Sequence, residues 1–144
     1  MKKTIFFLII ILAIMTGCSD LNDLNLKSIA YDEAYELSVN TISKTADNRY
    51  LIKFDSVMFD SRCPKDVVCI WQGVAGVRFS ITDSSLGNQL QTVELHTLNN
   101  GTWSSQATVN GLKLSLLELN PYPFTSSSIN YKKYKATILL TKIN

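Results

Sequence analysis

The chain has 144 residues, 46% hydrophobic and 18% charged, which is enough for one ordinary domain and too little for two. Fourteen basic against twelve acidic side chains give a formal net charge of +2, which excludes the polybasic balance of a nucleic-acid binder. Six Gly and three Pro exclude a collagenous or linker-like chain, and one His with three Cys leaves little for a metal site or a nucleophile–base pair.

Lys2 and Lys3 precede Ile5 to Met15, an unbroken run of eleven apolar residues. A basic segment ahead of a short apolar one reads as a secretory signal. The run is too short to cross a bilayer core, which needs roughly 20 helical residues. It ends in Met15-Thr16-Gly17-Cys18. This ending resembles the lipobox of bacterial lipoproteins, with an apolar residue, a small residue and Gly ahead of the Cys. Met15 is less usual at its place than Leu. The resemblance implies cleavage before Cys18 and a thioether-linked lipid on it. Acyl chains contribute about 0.8 kcal/mol per buried methylene, so two or three anchor a protein without a transmembrane helix. In a host with two membranes, Ser19 after the lipidated Cys, in place of the Asp that retains some lipoproteins, points to the outer membrane.

Removing residues 1–17 takes away Lys2 and Lys3 and leaves 127 residues with 12 basic and 12 acidic side chains. The mature chain is therefore neutral, and the basicity belongs to the signal. Cys63 and Cys69 remain as an even pair, and export to an oxidising compartment makes a disulfide the default reading.

Ser19 to about Asp32 reads as a tether after Cys18, with polar residues and isolated Leu21, Leu24 and Leu26. The domain is expected over 33–144, with a first strand near Tyr35. Tyr50, Ile52 and Phe54 alternate with Leu51, Lys53 and Asp55, and Val57 and Phe59 extend that strand after a break at Asp55-Ser56. Ala75 to Thr82 alternates most cleanly. A turn follows from Thr82 to Asn88, then an alternation through Val93, Leu95 and Thr97. Asn99-Asn100-Gly101 and Asn110-Gly111 are tight-turn signals, because Asn-Gly readily supplies positive φ. Leu112, Leu114 and Leu116 mark a strand stopped by Asn120-Pro121-Tyr122-Pro123, and Tyr134 to Thr141 a last one. Short strands at this spacing predict an all-β fold, a single antiparallel, immunoglobulin-like sandwich of six to eight strands. The long stretches 60–72 and 120–131 are expected to connect its two sheets.

One segment stands apart: Asp60-Ser61-Arg62-Cys63-Pro64-Lys65-Asp66-Val67-Val68-Cys69-Ile70-Trp71-Gln72-Gly73. With the strands on either side, over about 50–82, it resembles a set of small exported bacterial proteins, many of them lipoproteins, that share D-S-R-C-P, four residues and C-x-W-x-G. That family carries no assigned activity. The resemblance implies a disulfide-closed loop, Cys63 to Cys69, between two strands of a sandwich. Trp71 shares the face of Cys69 on an extended chain, and Gly73 is placed to take a φ that other residues avoid. One reading makes Trp71 core packed over the disulfide, Asp60 a turn cap and Arg62 the partner of Asp60 or Asp66. The other makes Asp60, Arg62, Lys65, Asp66 and Trp71 a rigid recognition loop.

Other candidates are weaker. His96 alternates outward with Glu94 and reads as solvent-facing, with no Cys or second His at ligand spacing. Ser104, Ser105 and Ser126 to Ser128 supply hydroxyls, but no G-x-S-x-G is present. Asp55, Asp60 and Asp66 do not match a calcium loop, and paired carboxylates such as Asp60, Asp66 or Glu94 carry no specific signal. Trp103 reads as an exposed aromatic, and Tyr122, Phe124, Tyr131 and Tyr134 as the edge of the core. The expectation is a lipid-anchored envelope lipoprotein without enzymatic activity, cofactor or metal. Its expected partners are the membrane, through Cys18, and an envelope protein or glycan; nucleic acid is excluded. The alternative is an inhibitor of a secreted protease or lysozyme acting through its loops.

Overall fold

The computed structural model describes residues 26–125 and 129–143. Cys18, the signal and Ser126 to Ser128 lie outside these described residues.

Among the described residues nine strands form two sheets: β1 (Ser28–Ile29), β2 (Ala34–Ser38), β3 (Ile42–Thr45), β4 (Tyr50–Asp60), β5 (Ala75–Asp83), β6 (Gln89–His96), β7 (Gln106–Val109), β8 (Leu112–Asn120) and β9 (Lys135–Lys142). One sheet has the order β1-β3-β4-β5-β6, the other β2-β9-β8-β7. All pairs are antiparallel except β1 with β3. The all-β sandwich is as expected, with more strands than the six to eight read from the pattern. Each sheet is largely a meander of sequential strands, so the likeness to an immunoglobulin domain lies in the two packed sheets. β1 falls inside the stretch read as tether, and its Ile29 is fully buried in the core.

Alternation builds the interior. Ile52, Phe54 and Val57 on β4 pair with Ile81, Phe79 and Val77 on β5, Tyr50 is buried beside them, and Phe54 stacks on Phe79 with ring centroids 5.0 Å apart. Leu112, Leu114 and Leu116 on β8 and Ala136, Ile138 and Leu140 on β9 close the core from the second sheet. A bulge between Phe54 and Ser56 occupies the expected break and returns Val57 to the core. A second, between Val57 and Phe59, turns Phe59 out of step with Val57.

The long loops do not connect the sheets. Residues 61–74 join β4 to β5 within one sheet, and 121–134 join β8 to β9 within the other. The ladder explains the first. Ser61 N–H donates to the Val74 carbonyl at 3.0 Å and Cys63 N–H to the Gln72 carbonyl at 2.9 Å, so the hairpin continues past the strands. Crossings are made instead by 30–33, 39–41 and 97–105. Asn110-Gly111 is a hairpin turn with φ of 49° and 80°. Asn99-Asn100-Gly101 lies within the crossing 97–105, not in a hairpin.

Candidate binding loop

The disulfide loop has a buried polar base and an exposed apolar tip. At the base, Arg62 and Asp60 are almost fully buried, with side chains 6% and 5% exposed. Arg62 Nε donates to Asp60 Oδ1 at 2.9 Å and its second nitrogen to Oδ2 at 2.7 Å, a two-pronged pair. The guanidinium also donates to the carbonyls of Leu119 at 2.6 Å and Pro121 at 3.1 Å, which ties the hairpin to the end of β8. It lies 4.5 Å from the centre of the Tyr122 ring. The Tyr134 hydroxyl donates to Asp60 Oδ2 at 2.6 Å. Burial pushes the Asp60 carboxyl up, but the hydrogen bonds from Arg62 and Tyr134 outweigh it and hold the group below the usual carboxylate range. Burial and the Asp60 hydrogen bond push the Tyr134 phenol well up.

The flank of the loop is tied as well. Lys65 N–H donates to the Pro123 carbonyl at 3.0 Å, and Lys65 Nζ sits 5.2 Å from the Tyr122 ring centre. Asp66 accepts from the Thr125 N–H at 3.0 Å and from the Thr125 hydroxyl. Gly73 adopts φ +70°, and a Cβ there would stand 1.9 Å from the Ser61 carbonyl oxygen. The return limb needs glycine on both counts.

Cys63 and Cys69 form the disulfide, with Cα atoms 5.9 Å apart. Beyond the last ladder bond the chain turns outward. Val68, Ile70 and Trp71 are 102%, 96% and 82% exposed, and Val67 is half exposed. Trp71 is therefore not core and does not pack a sandwich-spanning disulfide. The reason is the position of the disulfide: it closes a ring outside both sheets, with Cys69 exposed, so no interior lies beside it. Of the five candidate loop residues, Asp60, Arg62 and Asp66 are taken up in holding the loop, Lys65 lies along its flank, and Trp71 points outward. The residues the motif did not single out are Tyr134, which completes the Asp60 pair, and Val68 and Ile70. The uninterrupted Val67-Val68-Cys69-Ile70-Trp71, without polar alternates, was the available signal.

His96 is not solvent-facing. It is half-buried between Trp103 and Phe59, with ring centroids at 4.5 and 6.1 Å, and its Nδ1 is buried with no hydrogen-bond partner among the described residues. Trp103 is correspondingly half-buried rather than fully exposed. Within this trio Phe59 covers Gly76, where a Cβ would come within 2.6 Å of its ring. Glu94 pairs with Arg78 at 2.8 Å and Asp55 with Lys53 at 3.0 Å, so the carboxylates read from the sequence engage separate partners. Among the described residues no three of His, Cys, Asp or Glu are grouped to hold a metal ion. A cleft of about 220 Å³ opens behind the loop, lined by Arg62, Gln72, Leu98, Glu118 and Tyr122 among others.

Comparison with protein-family models, with curated proteins and with solved structures finds no match to this chain.

Proposed function

We propose that this chain is a lipid-anchored lipoprotein of the bacterial cell envelope that acts by binding rather than catalysis, through the tip of its disulfide loop. The observation that carries the reading is the contrast within one loop. The polar groups at its base are paired internally, while Val68, Ile70 and Trp71 stand in solvent on that fixed support. Exposed apolar side chains on a rigid loop are what recognition sites use, since the ordering cost is met before binding. The Met15-Thr16-Gly17-Cys18 ending supports the anchor. Inhibition of a secreted hydrolase by insertion of the same loop is the second reading, favoured by the disulfide-clamped, projecting tip.

Site-specific photo-crosslinking in intact envelopes tests the proposal. A photoreactive residue in place of Trp71 is expected to give a discrete adduct. One in place of Leu90, 62% exposed on β6, is expected to give none. Equal labelling at both positions, or none at Trp71, removes the support for a binding tip. A catalytic turnover abolished by Arg62→Ala or His96→Ala overturns the non-enzymatic reading. Inhibition across a protease and lysozyme panel would favour the second.

A further inference from the structure

We infer that the loop tip docks into the lipid surface that holds the Cys18 anchor. The inference rests on the lipid-anchored reading above and names the partner of the same site.

Chain direction supplies the first argument. β1 runs parallel to β3, and β3 antiparallel to β4, which leads into the disulfide loop. The chain therefore enters β1 from the end of the sandwich that carries the loop. Ser28 is level with Lys44, and Lys44 with Leu51, nine residues below Asp60 on β4 or about 30 Å. The ten residues from Cys18 to Ser28 reach at most about 33–36 Å. A lipid on Cys18 thus has the reach to lie at the level of Asp60, the base of the loop, with the tip projecting beyond it.

Side-chain chemistry supplies the second. Across Val67, Val68, Ile70 and Trp71 the side chains bring one polar hydrogen, the indole N–H. A protein interface needs about one hydrogen bond per 100–200 Å², whereas an acyl-chain boundary needs none. Trp is a residue of the membrane–water boundary. Along the loop stand Phe124, about half exposed, and the exposed Lys65; the half-exposed Tyr131 and the exposed Lys132 and Lys133 lie at its base, where the Tyr131 ring sits 5.8 Å from that of Tyr134, the partner of Asp60. The Lys65–Pro123 and Asp66–Thr125 bonds hold the two loops together, so these residues share one end of the molecule. An apolar tip backed by aromatics and lysines at the same end of the molecule suits an interface with phospholipid headgroups. Asp60 and Asp66 at this end are already paired within the protein, and the exposed Glu118 lines the cleft behind the loop rather than the tip.

The chain contains two tryptophans, Trp71 and Trp103, so each can be read alone. Lipidated protein is purified from membranes as Trp103→Phe, which reports Trp71, and as Trp71→Phe, which reports Trp103. Both are reconstituted into phosphatidylcholine–phosphatidylglycerol vesicles with and without brominated acyl chains. Trp71 emission is expected to shift to the blue and to be quenched by the brominated lipid, with Trp103 unchanged. Trp71 left unquenched, or both tryptophans quenched alike, overturns the inference. The mass of the Cys18 peptide reads the anchor separately. An adduct with unquenched Trp71 leaves the anchored-lipoprotein reading standing and removes lipid as the tip's partner. Quenched Trp71 without an adduct supports the docking and removes the anchor.

Discussion

Arg62 and Trp71 belong to one loop and face opposite ways. The Arg62 guanidinium is buried against Asp60 at 2.7 Å, and Trp71 is 82% exposed. This division of a short motif into a buried ionic base and an apolar tip separates the residues that hold the loop from those that meet a partner.

Arg62→Ala is expected to destabilise the domain by about 3–5 kcal/mol, because it strands the Asp60 carboxylate in a buried site. That is a large share of a typical stability of about 5–15 kcal/mol. Trp71→Ala is expected to stay within about 0.5 kcal/mol of the parent, as an exposed side chain touching no core. Equilibrium urea unfolding of the two variants checks the contrast, and a Trp71→Ala loss as large as that of Arg62→Ala would refute it.

The pH dependence has two limbs. The folded pKa of Asp60 lies below its unfolded value, so its contribution is full above about pH 4 and fades as pH falls through the lower folded value. Unfolding midpoints are expected to hold steady near neutrality and fall below about pH 4, with a shallower acid limb in Asp60→Asn. On the alkaline side, burial, reinforced by Asp47, pushes the Tyr31 phenol up to about 12. A raised phenol contributes stability below its unfolded value near 10 and loses it as pH rises toward the folded one. Tyr31→Phe is expected to flatten the alkaline limb, followed by tyrosinate absorbance and unfolding midpoint together.

Reducing the Cys63–Cys69 bond is expected to cost about 2 kcal/mol at most, because the ring it closes is short and lies outside both sheets. The sandwich should survive while the tip loosens. Trypsin is expected to cut after Lys65 in the reduced protein and to spare it in the oxidised one. Loss of the whole fold on reduction would contradict the placement of the disulfide at the periphery.

Gly73→Ala meets both a positive φ of +70° and the Ser61 carbonyl. Strain alone costs about 1–3 kcal/mol, before the clash is relieved. The expected result is a less stable protein with faster amide exchange at Cys63, whose N–H bonds the Gln72 carbonyl. Unchanged exchange there would show that the hairpin extension is not held as described.

Strands with an apolar–polar period were legible in the sequence: β4, β5, β8 and β9 each alternate with the core face correctly placed. β3 was not, because it inverts the rule, burying Ser43 and Thr45 and exposing Ile42. Thr45 can be buried because its hydroxyl is engaged by Asp47 and by the Tyr50 N–H. β7 carries a single buried residue, Val109, and β1 is two residues long, so neither leaves a pattern. In the loop, the Asp60–Arg62 pair followed from short-range charge. The outward course of Trp71 did not, since it depends on where the ring closes relative to the sheets. Tyr134 reaches Asp60 across 74 residues, a contact that local spacing does not reveal.

Hydroxyl-radical footprinting of Trp71, in purified protein and in intact envelopes, tests the central claim most directly. Heavy modification is expected in the purified protein and protection in the envelope, with Leu90 modified in both. Trp71 unmodified in the purified protein, or modified equally in both settings, would contradict an exposed tip that engages a partner.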